Sequence, residues 1–137
     1  MKIATWLASV CMSLVVFSAQ AEPTRNIDIE KVIGQQIEAF QADDFTAAFE
    51  FATPSIQKRF GTPEKFGFAV VHGYPMVWRP SEIQYIGVEL YASHALQKVM
   101  ITDTQKTLHL LVYRMVPIDQ SWRIGGVQIV RQPKSDI

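Results

Sequence analysis

The apolar residues of this chain change their repeat partway along it, and that change dictates the fold class. Ile29, Val32, Ile33, Ile37 and Phe40 recur at three- and four-residue intervals. That spacing lines one face of an α-helix and predicts an amphipathic helix over about residues 27–42. Asp43-Asp44 offers an N-cap for a second short helix carrying Phe45, Ala48, Phe49 and Ala52. Thr53-Pro54 and Thr62-Pro63 each read as a helix start, a hydroxyl cap followed by proline at the first helical position. The first of these helices would stop at Gly61 and the second near Gly73. Tyr74 to Pro80 holds two prolines, each restricting the residue before it, and is expected to be extended rather than helical.

Strand patterns fill the rest, over about residues 82–91, 95–102, 106–116 and 121–130. The connections Ala92-Ser93-His94, Asp103-Thr104-Gln105 and Pro117-Ile118-Asp119-Gln120 are short enough for an antiparallel meander. Gly87 and Gly125-Gly126 break the alternation and predict bulges that curve the sheet. Helices first and sheet second make an α+β chain, with N-terminal helices packed on one face of a curved four-stranded antiparallel sheet.

Residues 1–21 read as a cleaved signal peptide: Lys2, an apolar run from Ile3 to Phe17, then Ser18-Ala19-Gln20-Ala21 before Glu22-Pro23. The run is shorter than the about 20 residues a membrane span needs. Val10 before Cys11 is too bulky for a lipidation motif, and the apolar run continues past that cysteine. Cleavage would leave residues 22–137 as one domain, exported to the periplasm or secreted, with no membrane span. Cys11 is the only cysteine, so the exported domain has no disulfide, thiol nucleophile or thiolate metal site. Its core alone must hold it. The whole chain carries 13 basic and 13 acidic residues, and loss of Lys2 leaves one net negative charge. Such a chain has no field to hold nucleic acid.

The element order, the segment Gly73-Tyr74-Pro75-Met76-Val77-Trp78-Arg79-Pro80 and the closing Trp122-Arg123-Ile124-Gly125-Gly126-Val127 resemble the family of domain of unknown function 4864. The likeness covers about residues 29–130. That family resembles the nuclear-transport-factor-2-like superfamily, a cone of helices wrapped on a curved sheet, and the resemblance implies that fold. The superfamily includes isomerases, dehydratases and hydrolases beside non-catalytic binding and assembly modules, so the fold alone does not choose a function.

The residues offer little acid–base machinery. Asp103 and Asp119 fall in turns, and Asp43 and Asp44 at a helix start. Glu89 is the one carboxylate inside a strand, in phase with Tyr85 only if no bulge forms at Gly87. His72, His94 and His109 are too far apart for a local metal-ligand pair, so no metal site is expected. No nucleophile elbow and no phosphate-cradling glycine loop occurs, and no catalytic residue or cofactor is assigned. Apolar walls with a few polar groups are what ligand sites need. Tyr74, Trp78, Arg79, His109 and Tyr113 are therefore the candidate pocket, converging at the open end of the cone, with Arg79 reading an anionic group on a mainly apolar ligand. The expectation is a non-catalytic small-ligand-binding or assembly module of the cell envelope. A small enzyme using the cone cavity and a protein–protein accessory acting through its sheet face are the alternatives. The third strand is apolar on both sides, Leu108, Leu110 and Val112 against Leu111, Tyr113 and Met115. Helices cover only one sheet face, so a homodimer through the other is expected.

Overall fold

A computed structural model of the protein describes residues 24–131. The expected signal peptide over residues 1–21 lies outside them. Five helices precede four strands: α1 Ile27–Gln41, α2 Phe45–Glu50, α3 Pro54–Phe60, α4 Pro63–Gly73, α5 Pro75–Trp78, then β1 Pro80–Leu90, β2 Ala95–Asp103, β3 Leu108–Ile118 and β4 Ser121–Val130. The strands form one antiparallel sheet in the order β1-β2-β3-β4, and the helices pack against it. The chain is an α+β domain with an open sheet.

Helices α1 to α4 each start where a short polar side chain replaces the missing backbone acceptor. Asn26 Oδ1 accepts from the Ile29 N–H, and Asp44 Oδ1 from Ala47. Thr53 and Thr62 cap α3 and α4 in the same way, ahead of prolines that need no acceptor. Gly61 ends α3 with φ of 81°, a conformation that favours glycine.

The expected extended segment between the prolines is corrected. Tyr74 and Arg79, the residues before each proline, do leave helical geometry, with φ near −135° and −134°. Between them Pro75 takes the first position of a single helical turn, and Met76 and Val77 are buried under it. Two other boundaries shift. β3 begins at Leu108 because Lys106 turns at φ of 68° and its N–H bonds back to the Asp103 carbonyl. It runs on to Ile118 because Asp119 and Gln120 close a two-residue turn with φ of 49° and 66°. Pro117 fits inside the strand because β2 pairs with β3 only as far as Met115.

Both glycine bulges are present. The β1–β2 register slips between Tyr85 and Gly87, and the β3–β4 register at Gly125. The first bulge sends Glu89 to the outer face, where it meets Tyr91 and Lys98. Facing the helices are Val99 and Ile101 of β2, Leu111, Tyr113 and Met115 of β3 and Ile124 of β4. They meet Ile29, Ile33, Ile37 and Phe40 of α1, all essentially inaccessible to solvent. The segment between α2 and α3 lies along β4, with Thr53 N–H bonding the Ile124 carbonyl and Ile124 N–H the Phe51 carbonyl. Among the described residues no helix covers the opposite face of the sheet. Leu108 is 65% exposed there, amid Leu96, Met100, Leu110 and Val112.

Candidate functional site

An apolar pocket of about 360 Å³ lies between α1, α3, α4 and the bulged part of β4. Phe40, Phe60 and Phe66 form its wall. Phe66 stands at the hub of that wall, with ring centroids 5.7 Å from Phe40, 5.3 Å from Phe49 and 5.5 Å from Phe60. The two Thr-Pro caps fix where α3 and α4 begin and so where Phe60 and Phe66 point. On the other side Gly125 and Gly126 bring bare backbone to the pocket. A Cβ at Gly125 would lie 3.0 Å from the Val116 side chain and 3.1 Å from that of Arg114.

Three polar side chains line the pocket. Gln36, on the apolar stripe of α1, is buried and donates from Nε2 to the Ala48 carbonyl at 3.1 Å. Tyr74 donates its hydroxyl to the Val127 carbonyl at 3.1 Å. Arg59, in the last turn of α3, is exposed at the edge, its guanidinium 5.9 Å from the Phe60 ring centre. Among the described residues no aspartate or glutamate lines the pocket.

Of the five residues singled out in the sequence, only Tyr74 lines this pocket. Trp78 and Arg79 come together outside it. The Arg79 guanidinium stacks on the Trp78 ring at 4.0 Å and donates to the Phe40 and Gln41 carbonyls at 3.1 and 3.2 Å. Both residues also hold Asp43, the indole N–H at 2.8 Å and the guanidinium at 3.1 Å to each carboxylate oxygen. The Trp78 hydrogen bond, aided by Arg79, holds the Asp43 carboxyl below the usual range. Arg79 is thus occupied by its own chain. His109 sits at the far end of β3, its Nε2 2.8 Å from Asp103 Oδ2, beside an open depression flanked by Met76, Met100 and Leu108. The same carboxylate accepts from the Gln105 and Thr107 N–H groups, and His109 with these bonds lowers its pKa. This pair holds the β2–β3 turn. The five residues do not meet in one cavity.

Tyr113 is fully buried opposite Gln97 on β2, and its hydroxyl and Gln97 Oε1 have no hydrogen-bond partner among the described residues. Burial pushes the Tyr113 phenol far above its ordinary value, and the Tyr85 phenol up to about 12. Folding therefore keeps protons that the unfolded chain releases above about pH 10. Stability is full below that pH and is lost as pH rises toward the folded values. Tyr113→Phe removes an unpaired buried hydroxyl and is expected to stabilise by about 1 kcal/mol at neutral pH. The gain should be larger near about pH 11, in urea unfolding at both pH values. A loss of stability would contradict an unpartnered hydroxyl.

The sequence profile of the family described as domain of unknown function (DUF4864) matches residues 22–137. The chain belongs to the DUF4864 family. No match to it was found among curated proteins or solved structures. In this DUF4864 chain the pocket residues that a linear reading passes over are Gln36, Arg59 and the phenylalanine wall. Gln36 did carry a signal: it is a polar residue in phase with Ile29, Ile33 and Phe40, where a core helix places apolar ones. Arg59 carried none beyond its position between the apolar Ile56 and Phe60. No cluster of three His, Cys, Asp or Glu side chains suited to a metal occurs among the described residues. None of their helices is long and apolar enough to cross a membrane.

Proposed function

We propose that this protein is an exported, non-catalytic binding module that holds a small, mainly apolar ligand in the Phe40–Phe60–Phe66 pocket. The observation that carries the reading is the pocket itself. Its volume of about 360 Å³ falls in the range of ligand sites, and its walls are apolar with three polar points. Binding is favoured over catalysis because the pocket-lining groups among the described residues include no carboxylate or histidine to move a proton. The two strand residues that could move a proton are committed elsewhere: His109 to Asp103, and Glu89 to the outer face. A nuclear-transport-factor-2-like cone suits this reading, since helices on one face and bulges at Gly87 and Gly125 would leave such a mouth open. The test is native purification from the exported fraction, with mass spectrometry of the intact protein and of extracted small molecules. A chain starting at Glu22 with a stoichiometric apolar compound supports the reading. A chain starting at Met1, or no compound and no displacement of an apolar fluorescent probe by any extract, overturns it.

A second reading concerns assembly, and the outer sheet face favours it. We propose that this face pairs with a second copy. Its middle is apolar, with Leu96, Met100, Leu110 and Val112, while Glu82 and Glu89 stand on β1 and Arg114 and Arg123 on β3 and β4. A two-fold axis parallel to the strands lays β1 over the partner's β4, so the acidic edge meets the basic one. Sedimentation at micromolar concentration should give a dimer, and Leu110→Glu should give a folded monomer. A wild-type monomer would sink the proposal.

A further inference from the structure

Resting on the pocket reading, we infer that Arg59 is the specificity residue of this site and that the ligand is an amphipathic monocarboxylate, bound tail inward. Three observations converge on that class. First, the donors inside the pocket are mostly used: one of the two Gln36 Nε2 hydrogens on the Ala48 carbonyl and the Tyr74 hydroxyl on the Val127 carbonyl. An anionic head buried at that end would find no cation and at most one neutral amide N–H, too little to replace its hydration, whereas an alkyl or aryl tail finds the phenylalanine wall. Second, among the described residues the single charged residue lining the pocket is a cation, and no carboxylate lines it to balance that charge. Arg59 enters none of the ion pairs among the described residues, where Arg25, Arg79, Lys98 and His109 each have an acidic partner. Third, Arg59 lies at the exposed edge of the pocket beside Ile56 and Phe60. A head there keeps part of its hydration while the guanidinium fork takes its two oxygens. One cation neutralises a monoanion; a dianion would leave unbalanced charge against the apolar wall. The same charge rejects an ammonium head.

The experiment compares ligands of one tail and three heads on the processed protein: octanoate, octanol and octylammonium, by isothermal titration at low and high salt. Octanoate is expected to bind about fivefold more tightly than octanol, with octylammonium weakest. Salt should narrow the gap. Arg59→Gln should erase the octanoate advantage and leave octanol binding unchanged; Arg59→Lys should restore part of it. Ala69→Phe places a ring in the pocket and should weaken octanoate and octanol together. Equal binding of octanoate and octanol in the wild type, both weakened by Ala69→Phe, would overturn the role of Arg59 and leave the pocket standing. Binding that Ala69→Phe does not touch, or no binding of any of the three, would overturn the pocket as well.

Discussion

Arg79→Ala is expected to lower the melting temperature by about 8 °C and to leave octanoate binding unchanged, because this side chain holds the fold and not the ligand. Helix α1 ends at Gln41, and its last carbonyls have no partner within the helix. Arg79 Nη1 donates to two of them, Phe40 at 3.1 Å and Gln41 at 3.2 Å. Its other nitrogen reaches Asp43, which turns the chain into α2 with φ of 54°. Its plane covers the Trp78 ring. One side chain thus ties the end of α1, the α1–α2 turn and the entry to β1. Hydrogen bonds from a charged donor are worth about 1.5–3 kcal/mol each when dry. Arg79 is 36% exposed, so water replaces part of that, and about 2 kcal/mol is the expected loss. Arg79→Lys should recover only a fraction, since an ammonium has neither the fork nor the stacking plane. Acid should narrow the difference. The Asp43 carboxyl is held below its ordinary value, so its contribution is present above about pH 4 and disappears as pH falls through the lower folded value. Thermal denaturation of both proteins across that range checks each part. A ligand effect without a stability effect would reverse the assignment.

The contrast between Arg79 and Arg59 shows where a linear reading stops. The starts of α2, α3 and α4 were legible because each cap is a local device: Asp44, Thr53 and Thr62 act on N–H groups three residues ahead. The α1 stripe and both glycine bulges were legible for the same reason, since pattern and pleat are short-range. Helix α5 was hidden because proline forbids helix at the residue before it but favours helix at its own position. Lys106, Asp119 and Gln120 adopt positive φ where no glycine announces it, so the ends of β3 moved. The site was less legible still. Nothing in the sequence tells which arginine will find the Phe40 carbonyl, which lies 39 positions from Arg79. Once that contact uses one cation, Arg59 is the one left beside the pocket. The sequence singles out Tyr74 only as one of the aromatics of a segment expected to be extended; its place on the pocket comes from the α4–α5 junction, which that expectation does not contain.

Gly67→Leu should be the most damaging single change among those considered, lowering stability by about 3 kcal/mol and weakening ligand binding with it. Glycine inside a helix costs about 0.5–1 kcal/mol relative to alanine, and Gly67 lies within α4. The compensation is proximity: a Cβ there would fall 2.4 Å from Phe45 Cγ and 2.7 Å from both Cδ atoms. These are atoms at the root of the ring, so no rotation about its axis relieves the clash; the whole ring must leave. Phe45 packs on Phe40, with ring centroids 6.4 Å apart, and Phe40 forms part of the pocket wall. Displacing one disturbs the other, which links this packing site to the pocket. Gly67→Ala separates the two effects, gaining helix propensity while retaining the clash, and should destabilise by about 1–2 kcal/mol. In a Phe45→Ala background the ring is gone, so Gly67→Ala should become neutral or stabilising. The double-mutant cycle should therefore return a coupling of about 2 kcal/mol between residues 45 and 67. Additive effects would mean that α2 and α4 do not approach at Gly67 as closely as the structure places them.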